Sequence, residues 1–182
     1  MSKALNVAVC QINPTLGNFQ KNIDIISKNY KYAVENGADL VVFPEMSITG
    51  YPPQDLLNNK EFISQNISCL NELTKSITIP CILGYVDFED NKKFNAAAVC
   101  QDGEIVYKYH KIHLPNYDVF DERRYFHSGD SVGIFDLKVN NSDYKIALQI
   151  CEDLWEDEYE RKISGEIIEN SPDLIINISA SP

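Results

Sequence analysis

The hydrophobic pattern predicts alternating strands and helices in the first part of the chain. The apolar run at residues 4–12 ends at Asn13-Pro14 and predicts a buried strand. From Asn18 onward, apolar side chains recur at helical spacing as far as Gly37, which predicts a helix that stops at the glycine. Residues 40–43, which are short and β-branched, predict a second buried strand. A strand, a helix and a strand in this order favour a parallel βαβ unit.

The rest of the chain is predicted to be rich in strands. Apolar spacing predicts one more helix at about residues 59–76, and Pro80 then precedes another apolar run. Asp102-Gly103 lies between two extended runs and is a strong hairpin signal. Two further strand-like runs flank a turn at residues 140–143, and a last strand is predicted at 173–179. The middle strands are apolar on both sides, which favours a single layered α/β domain over residues 1–182 whose sheet faces are both covered.

Composition narrows the class of protein. The 182 residues are 44% hydrophobic and 24% charged, which is typical of a globular domain. The net charge of −11 comes without a basic stripe and argues against nucleic acid or an anionic membrane as a partner. No apolar run approaches the roughly 20 residues that span a bilayer. Five scattered cysteines without a CxxC pair indicate reduced thiols and a cytoplasmic location.

Three reactive side chains follow strand-like runs. Glu45 stands in FPEMS after residues 40–43, Lys111 stands in YHKIHLPNY, and Cys151 comes directly after YKIALQI. Taken singly, the commonest interpretation of each is structural: a solvated loop glutamate, an exposed lysine and a buried cysteine. Because ligands of open α/β sheets bind at the carboxyl ends of strands, the three together predict an active site.

The residue types suggest nucleophilic catalysis on an amide. A free thiol is only a few per cent thiolate at neutral pH, so Cys151 needs a base such as Glu45. The Lys111 ammonium and backbone N–H groups can stabilise the oxyanion that forms. Such chemistry needs no metal or organic cofactor. His110 and His113 are not expected to form a metal pair, since their spacing in an extended segment places them on opposite faces.

The motifs FPEMSITGYPPQDLL, YHKIHLPNYDVFDERRYF and ICEDLWED resemble the Glu, Lys and Cys motifs of the nitrilase (carbon-nitrogen hydrolase) superfamily. Within it they are similar to the N-terminal glutaminase domains of glutamine-dependent NAD synthetases. The resemblance covers essentially the whole chain. It implies an α/β fold, a four-layer αββα sandwich, and a Glu45-Lys111-Cys151 triad that hydrolyses the side-chain amide of L-glutamine through a thioester.

The resemblance also implies roles for further residues. Glu122 matches a second glutamate beside the lysine, and Tyr117 matches a substrate-binding position. Ser181, with Ser179 as the alternative, matches a serine that binds the substrate, and Trp155 lies beside the nucleophile. The ammonia would pass to a synthetase domain that uses ATP and magnesium to make NAD from deamidated NAD.

The chain departs from the family pattern at its C-terminal end. It stops at NISASP, so the sandwich is expected to be truncated and incomplete, and no Ser-Gly-Gly-x-Asp-Ser loop of a synthetase domain occurs. An incomplete sandwich is expected to associate into homo-oligomers through uncovered sheet. Two alternatives stay open: a stand-alone amidase or carbamoylase, and an inactive fragment that acts only as an interaction module.

Overall fold

The computed structural model describes residues 4–180, so the predicted substrate residue Ser181 lies outside the described part of the chain. The helices are α1 (Phe19–Glu35), α2 (Lys60–Thr74) and α3 (Ile163–Glu169). The strands are β1 (Val7–Val9), β2 (Leu40–Val42), β3 (Cys81–Glu89), β4 (Lys92–Gln101), β5 (Glu104–His110), β6 (Gly133–Val139), β7 (Ser142–Ile150) and β8 (Leu174–Ile178). Among the described residues no helix is long and apolar enough to cross a bilayer.

The strands form two sheets. Sheet A has the order β1-β2-β3-β4-β5, with parallel pairing from β1 to β3 and antiparallel pairing from β3 to β5. Sheet B has the order β6-β7-β8, in which β6 and β7 are antiparallel and β7 and β8 are parallel. Ala8 of β1 lies opposite Val41 of β2, so the predicted parallel pairing across α1 is present. Because the direction reverses twice between β3 and β5, the carboxyl ends of β2 and β5 lie at the same edge of sheet A.

Two-residue turns connect the antiparallel strands. Both central residues of each turn have positive φ, as a type I′ turn requires. Asparagine, aspartate and glycine are the residues that tolerate this conformation best. The three pairs are Asp90-Asn91, Asp102-Gly103 and Asn140-Asn141. The hairpin signal at Asp102-Gly103 is therefore confirmed, and each turn fixes the register of the strands that it joins.

Sheet A is covered on both faces. Apolar side chains of α1 and α2, such as Ile26 and Leu70, pack on one face together with Leu83 of β3. The other face packs against sheet B through a second cluster that joins Ile82 with Ile146 of β7. The mixed α/β class and the stacked sheets predicted from the sequence are confirmed. Sheet-on-sheet packing brings the ends of β2, β5 and β7 together.

The first strand differs from its prediction. Residues 4–12 were expected to form a buried strand, but β1 comprises only Val7–Val9, and the Val7 and Val9 side chains are 37% and 78% exposed. The prediction of burial is wrong because β1 is an edge strand of sheet A with a single neighbour, β2. An apolar run does not by itself distinguish an edge strand from a central one.

Candidate active site

Glu45 occupies a tight turn that follows β2. Its side chain is 1% exposed, and Met46 next to it has a φ of 48°. The turn lies directly on Gly84 of β3, where a Cβ atom would stand 2.4 Å from the Met46 nitrogen. Oε1 of Glu45 accepts hydrogen bonds from the Lys111 ammonium at 2.8 Å and from the Asn95 amide at 2.7 Å. The carboxylate is therefore fixed in position by buried donors.

Lys111 directly follows β5 and is 1% exposed. Its ammonium lies 2.8 Å from Glu45 and 3.0 Å from Oε1 of Glu122, so one cation bridges two buried carboxylates. Burial alone would lower the pKa of Lys111, but Glu45 and Glu122 raise it well above its ordinary value. Lys111 therefore stays positively charged at physiological pH and cannot itself act as a base.

Glu122 completes this buried cluster. Burial raises the pKa of its carboxyl group, and the Lys111 ammonium opposes the rise. The Tyr51 hydroxyl donates to Oε1 at 3.0 Å, and the Asn95 amide donates to Oε2 at 3.3 Å. Asn95 thus binds both carboxylates of the cluster. Glu45, which is 66 residues before Lys111 in the sequence, forms a single hydrogen-bonded unit with Lys111 and Glu122.

Cys151 is the first residue of a 3₁₀ turn that directly follows β7, and its φ is 45°. Positive φ is uncommon for a residue with a side chain and occurs often at functional sites. Burial and the Glu45 carboxylate raise the pKa of the half-buried thiol to about 12, while Lys111 lowers it. Cys151 is thus within electrostatic range of both groups. Because the resting group is a thiol, attack on a substrate requires a base.

A cavity of about 620 Å³ is lined by Glu152 and Arg123, the residues that directly follow Cys151 and Glu122 in the chain. Its wall includes Tyr117 and Trp155, which are 50% and 68% exposed, and the buried side chain of Glu152. Glu152 accepts hydrogen bonds from the hydroxyls of Tyr117 and Tyr159, each at 3.0 Å. The cavity therefore combines aromatic side chains with a carboxylate that is held in place one residue after Cys151.

The predicted site residues lie in one region of the structure. Glu45, Lys111 and Glu122 are in contact, and Tyr117 and Trp155 line the adjacent cavity. Ser179 lowers the pKa of the Cys151 thiol, so the alternative serine lies close to Cys151, and its hydroxyl donates a hydrogen bond to Oδ1 of Asn177 at 2.6 Å. The sequence analysis did not single out several residues that contact this cluster or line the cavity. Among them are Tyr51, Asn95, Arg123, Glu152 and Tyr159.

The two histidines near Lys111 have different partners. His110 contacts the buried Asp87 carboxylate at 2.9 Å, whereas His113 contacts the Arg161 carbonyl oxygen at 3.0 Å. Asp87, Glu89 and His110 could place ligand atoms within 4.8 Å of one another. The ammonium of Lys108 lies 3.1 Å from Asp87 and already supplies a positive charge there. The group is best described as a salt-bridge network.

The sequence profile described as "Carbon-nitrogen hydrolase" matches residues 6–171. The chain belongs to the carbon-nitrogen hydrolase family, in agreement with the motifs. A glutamine-dependent NAD(+) synthetase of Thermotoga maritima is 41% identical over 99% of the chain, which covers 31% of that relative. The chain thus spans about a third of the length of such relatives.

Solved structures support the same fold. The chain superimposes on a glutamine-dependent NAD+ synthetase from Acinetobacter baumannii in complex with ADP with a TM-score of 0.89 and 30% identity. The match covers 100% of the chain and 33% of that structure. An amidase from Nesterenkonia sp. gives a TM-score of 0.79 at 20% identity, over 97% of the chain and 65% of the amidase. The latter likeness concerns the fold alone.

Proposed function

We propose that the chain is the glutamine-hydrolysing part of a glutamine-dependent NAD synthetase, with Cys151 as nucleophile. The proposal rests mainly on one observation: the end of β8 joins the buried Glu45–Lys111 pair to the Cys151 turn, because the Ala180 N–H donates to Glu45 and the Asn177 amide donates to the Cys151 carbonyl oxygen. The similarity to NAD synthetases over nearly the whole chain supports glutamine as the amide donor.

The proposed reaction proceeds through a thioester. The Cys151 sulfur attacks the side-chain amide carbon while Glu45 takes the thiol proton. The Lys111 ammonium and nearby backbone N–H groups stabilise the oxyanion of the tetrahedral intermediate. Glu45 then gives the proton to the nitrogen as the carbon–nitrogen bond breaks and ammonia leaves. Water, deprotonated by Glu45, attacks the thioester, which releases glutamate and restores the thiol.

The cavity provides groups of both signs for an amino-acid substrate. Glu152 is a buried carboxylate that can accept hydrogen bonds from an α-ammonium group. Arg123 lines the same cavity and supplies a cation for an α-carboxylate. Tyr117 and Trp155 offer apolar contact between these charges. These groups support binding of a zwitterionic amino acid that carries a side-chain amide.

This domain would work together with a synthetase domain of a longer protein. The released ammonia would pass to a synthetase domain, which would bind ATP and magnesium and act as a ligase on deamidated NAD. That domain and further copies of the chain are the proposed partners, and the proposed location is the cytoplasm. The similarity to synthetases about three times as long supports the synthetase domain as a partner.

The proposal can be tested by ammonia release from L-glutamine. The chain should release ammonia and glutamate in equal amounts, and Cys151→Ala should abolish the release. Cys10→Ala is the matched control, because Cys10 is a partly exposed thiol outside the site and its removal should leave the rate unchanged. Retention of activity in Cys151→Ala would exclude Cys151 as the nucleophile. A preference for short aliphatic amides over glutamine would favour a stand-alone amidase instead.

A further inference from the structure

Asp153 is fully buried two residues after the proposed nucleophile, and its carboxylate accepts four hydrogen bonds. Oδ1 accepts from the backbone N–H groups of Ile112 at 3.1 Å and His113 at 2.8 Å. Oδ2 accepts from the Tyr109 hydroxyl at 2.8 Å and from the backbone N–H of Ile150 at 2.9 Å. A buried carboxylate needs such donors, and these four satisfy it fully.

The positions of these donors in the chain are informative. Tyr109 precedes Lys111 by two residues, and Ile112 and His113 follow it directly. On the other side, Ile150 precedes Cys151 directly, and Asp153 itself follows in the same turn. A single carboxylate therefore binds the backbone directly after the lysine and directly before the cysteine, and it also binds the tyrosine side chain two residues before the lysine.

The same contacts connect the two sheets. Tyr109 belongs to β5 of sheet A, whereas Ile150 ends β7 of sheet B. The Cys151 turn departs from strand geometry with a positive φ, and the Ile150–Asp153 hydrogen bond closes that turn. We propose that Asp153 is a positioning residue that sets the placement of Cys151 relative to Lys111. The expected change in glutamine hydrolysis rests on the proposed function, whereas the expected change in the reactivity of the Cys151 thiol does not.

The geometry requires an acid rather than an amide at this position. Each oxygen of Asp153 receives at least one backbone N–H. An asparagine has one oxygen and one NH₂ group, so in either orientation the NH₂ group meets a backbone donor. Asp153→Asn therefore loses a hydrogen bond and places two donors against each other, although it hardly changes the volume.

The test is residue-resolved alkylation of the whole chain with 2-chloroacetamide, followed by mass spectrometry. In Asp153→Asn the alkylation rate of Cys151 should fall about tenfold, because the thiol no longer lies in register with the groups that activate it. The three buried thiols should stay unlabelled, since the fold persists. They are Cys69, Cys81 and Cys100.

A milder variant makes the test independent of the stability of Asp153→Asn. Tyr109→Phe removes one hydrogen bond to Asp153 and should slow the alkylation of Cys151 about threefold. Tyr107→Phe is the matched control: Tyr107 is on the same strand, stacks on Phe135 and has no hydrogen bond to Asp153. In Tyr107→Phe the alkylation rate of Cys151 should stay within about twofold of the wild-type rate.

Two results would overturn the inference. One is an alkylation rate of Cys151 that stays within twofold of the wild-type rate, both in Tyr109→Phe and in an Asp153→Asn variant that folds. The other is labelling of the buried thiols in step with Cys151, which would indicate general loosening of the fold. With glutamine, the positioning role predicts a lower kcat at a KM changed less than about threefold. If the wild-type chain does not hydrolyse glutamine, the proposed function fails, while the alkylation result still decides the role of Asp153.

Discussion

Replacement of Gly84 by alanine is expected to disable the site without touching any proposed catalytic side chain. A Cβ at Gly84 would lie 2.4 Å from both the Pro44 oxygen and the Met46 nitrogen, and 2.7 Å from the carbonyl carbon of Glu45. These are backbone atoms, so they cannot move aside by a change of rotamer. The Gly84 carbonyl oxygen also accepts hydrogen bonds from Ile48 N–H and the Ser47 hydroxyl, which hold the turn against the strand.

The magnitude follows from the overlap. Ordinary contacts begin at about 3.4 Å, so the turn must retreat by several tenths of an ångström to about 1 Å. Overpacking of this kind destabilises a core by about 1–3 kcal/mol. In a chain of this size, each kcal/mol lowers the melting temperature by roughly 2–4 °C. A displacement of about 1 Å at a catalytic group can lower the rate about 100-fold. The Glu45 carboxylate moves with its backbone, so the folded variant should keep only about 1% of the wild-type rate.

Thermal unfolding and ammonia release from glutamine, measured on the same samples, would check both parts. Gly165→Ala is a matched control, because a Cβ there meets nothing within 4 Å. Gly165 lies within α3, so alanine should stabilise the chain by about 0.5–1 kcal/mol and leave the rate unchanged. If Gly84→Ala melts and turns over like the wild-type chain, the close approach of the Glu45 turn to β3 does not position the base.

Three further predictions concern the charged groups. Lys111→Met should destabilise the chain by about 3–5 kcal/mol, because it leaves buried carboxylates without their cation. Burial raises the pKa of the Glu122 carboxyl group in the folded chain, so this group binds a proton more readily there than in the unfolded chain. A protonated Glu122 needs no cation beside it. Urea unfolding should therefore show that Lys111→Met loses less stability at pH 5 than at pH 8. Burial raises the pKa of Asp87, but hydrogen bonds from an imidazole and an ammonium group outweigh burial and lower this pKa to about 2. The stability that the Asp87 carboxylate contributes is therefore lost as the pH falls from about 4 towards 2. Asp87→Asn should flatten the fall in melting temperature between pH 5 and pH 2. Tyr117→Phe removes a hydrogen bond to Glu152 and should raise the KM for glutamine about fivefold at nearly constant kcat; an unchanged KM would place the substrate elsewhere.

Much of the fold could be predicted because local signals and burial agree. The spacing of apolar residues predicted α1 and α2 within a few residues, and the Asp102-Gly103 turn predicted the hairpin of β4 and β5. Burial of β1 could not be predicted, because it depends on which neighbours a strand acquires in the sheet. The order of strands is a tertiary property that an apolar run does not encode.

Some residues of the candidate site could likewise be predicted from the sequence, and others could not. Glu45, Lys111 and Cys151 could be proposed because their chemistry stands out at strand ends. Asn95 gave a weaker signal, as an amide inside the apolar run of β4, and its two carboxylate partners are visible only in the folded chain. Asp153 looked like part of a polar loop, because its hydrogen bonds go mainly to backbone N–H groups, which every sequence contains.

The placement of the site on two sheets has a consequence for the order of events during folding. Glu45 and Lys111 follow strands of sheet A, while Cys151 follows a strand of sheet B. The contact between Glu45 and Ala180 spans 135 residues. Contacts of such separation form late, since they must overcome a large loop-closure entropy. Until the two sheets dock, Cys151 lies apart from Glu45 and Lys111, so a newly made chain completes the candidate site only when sheet A and sheet B have joined.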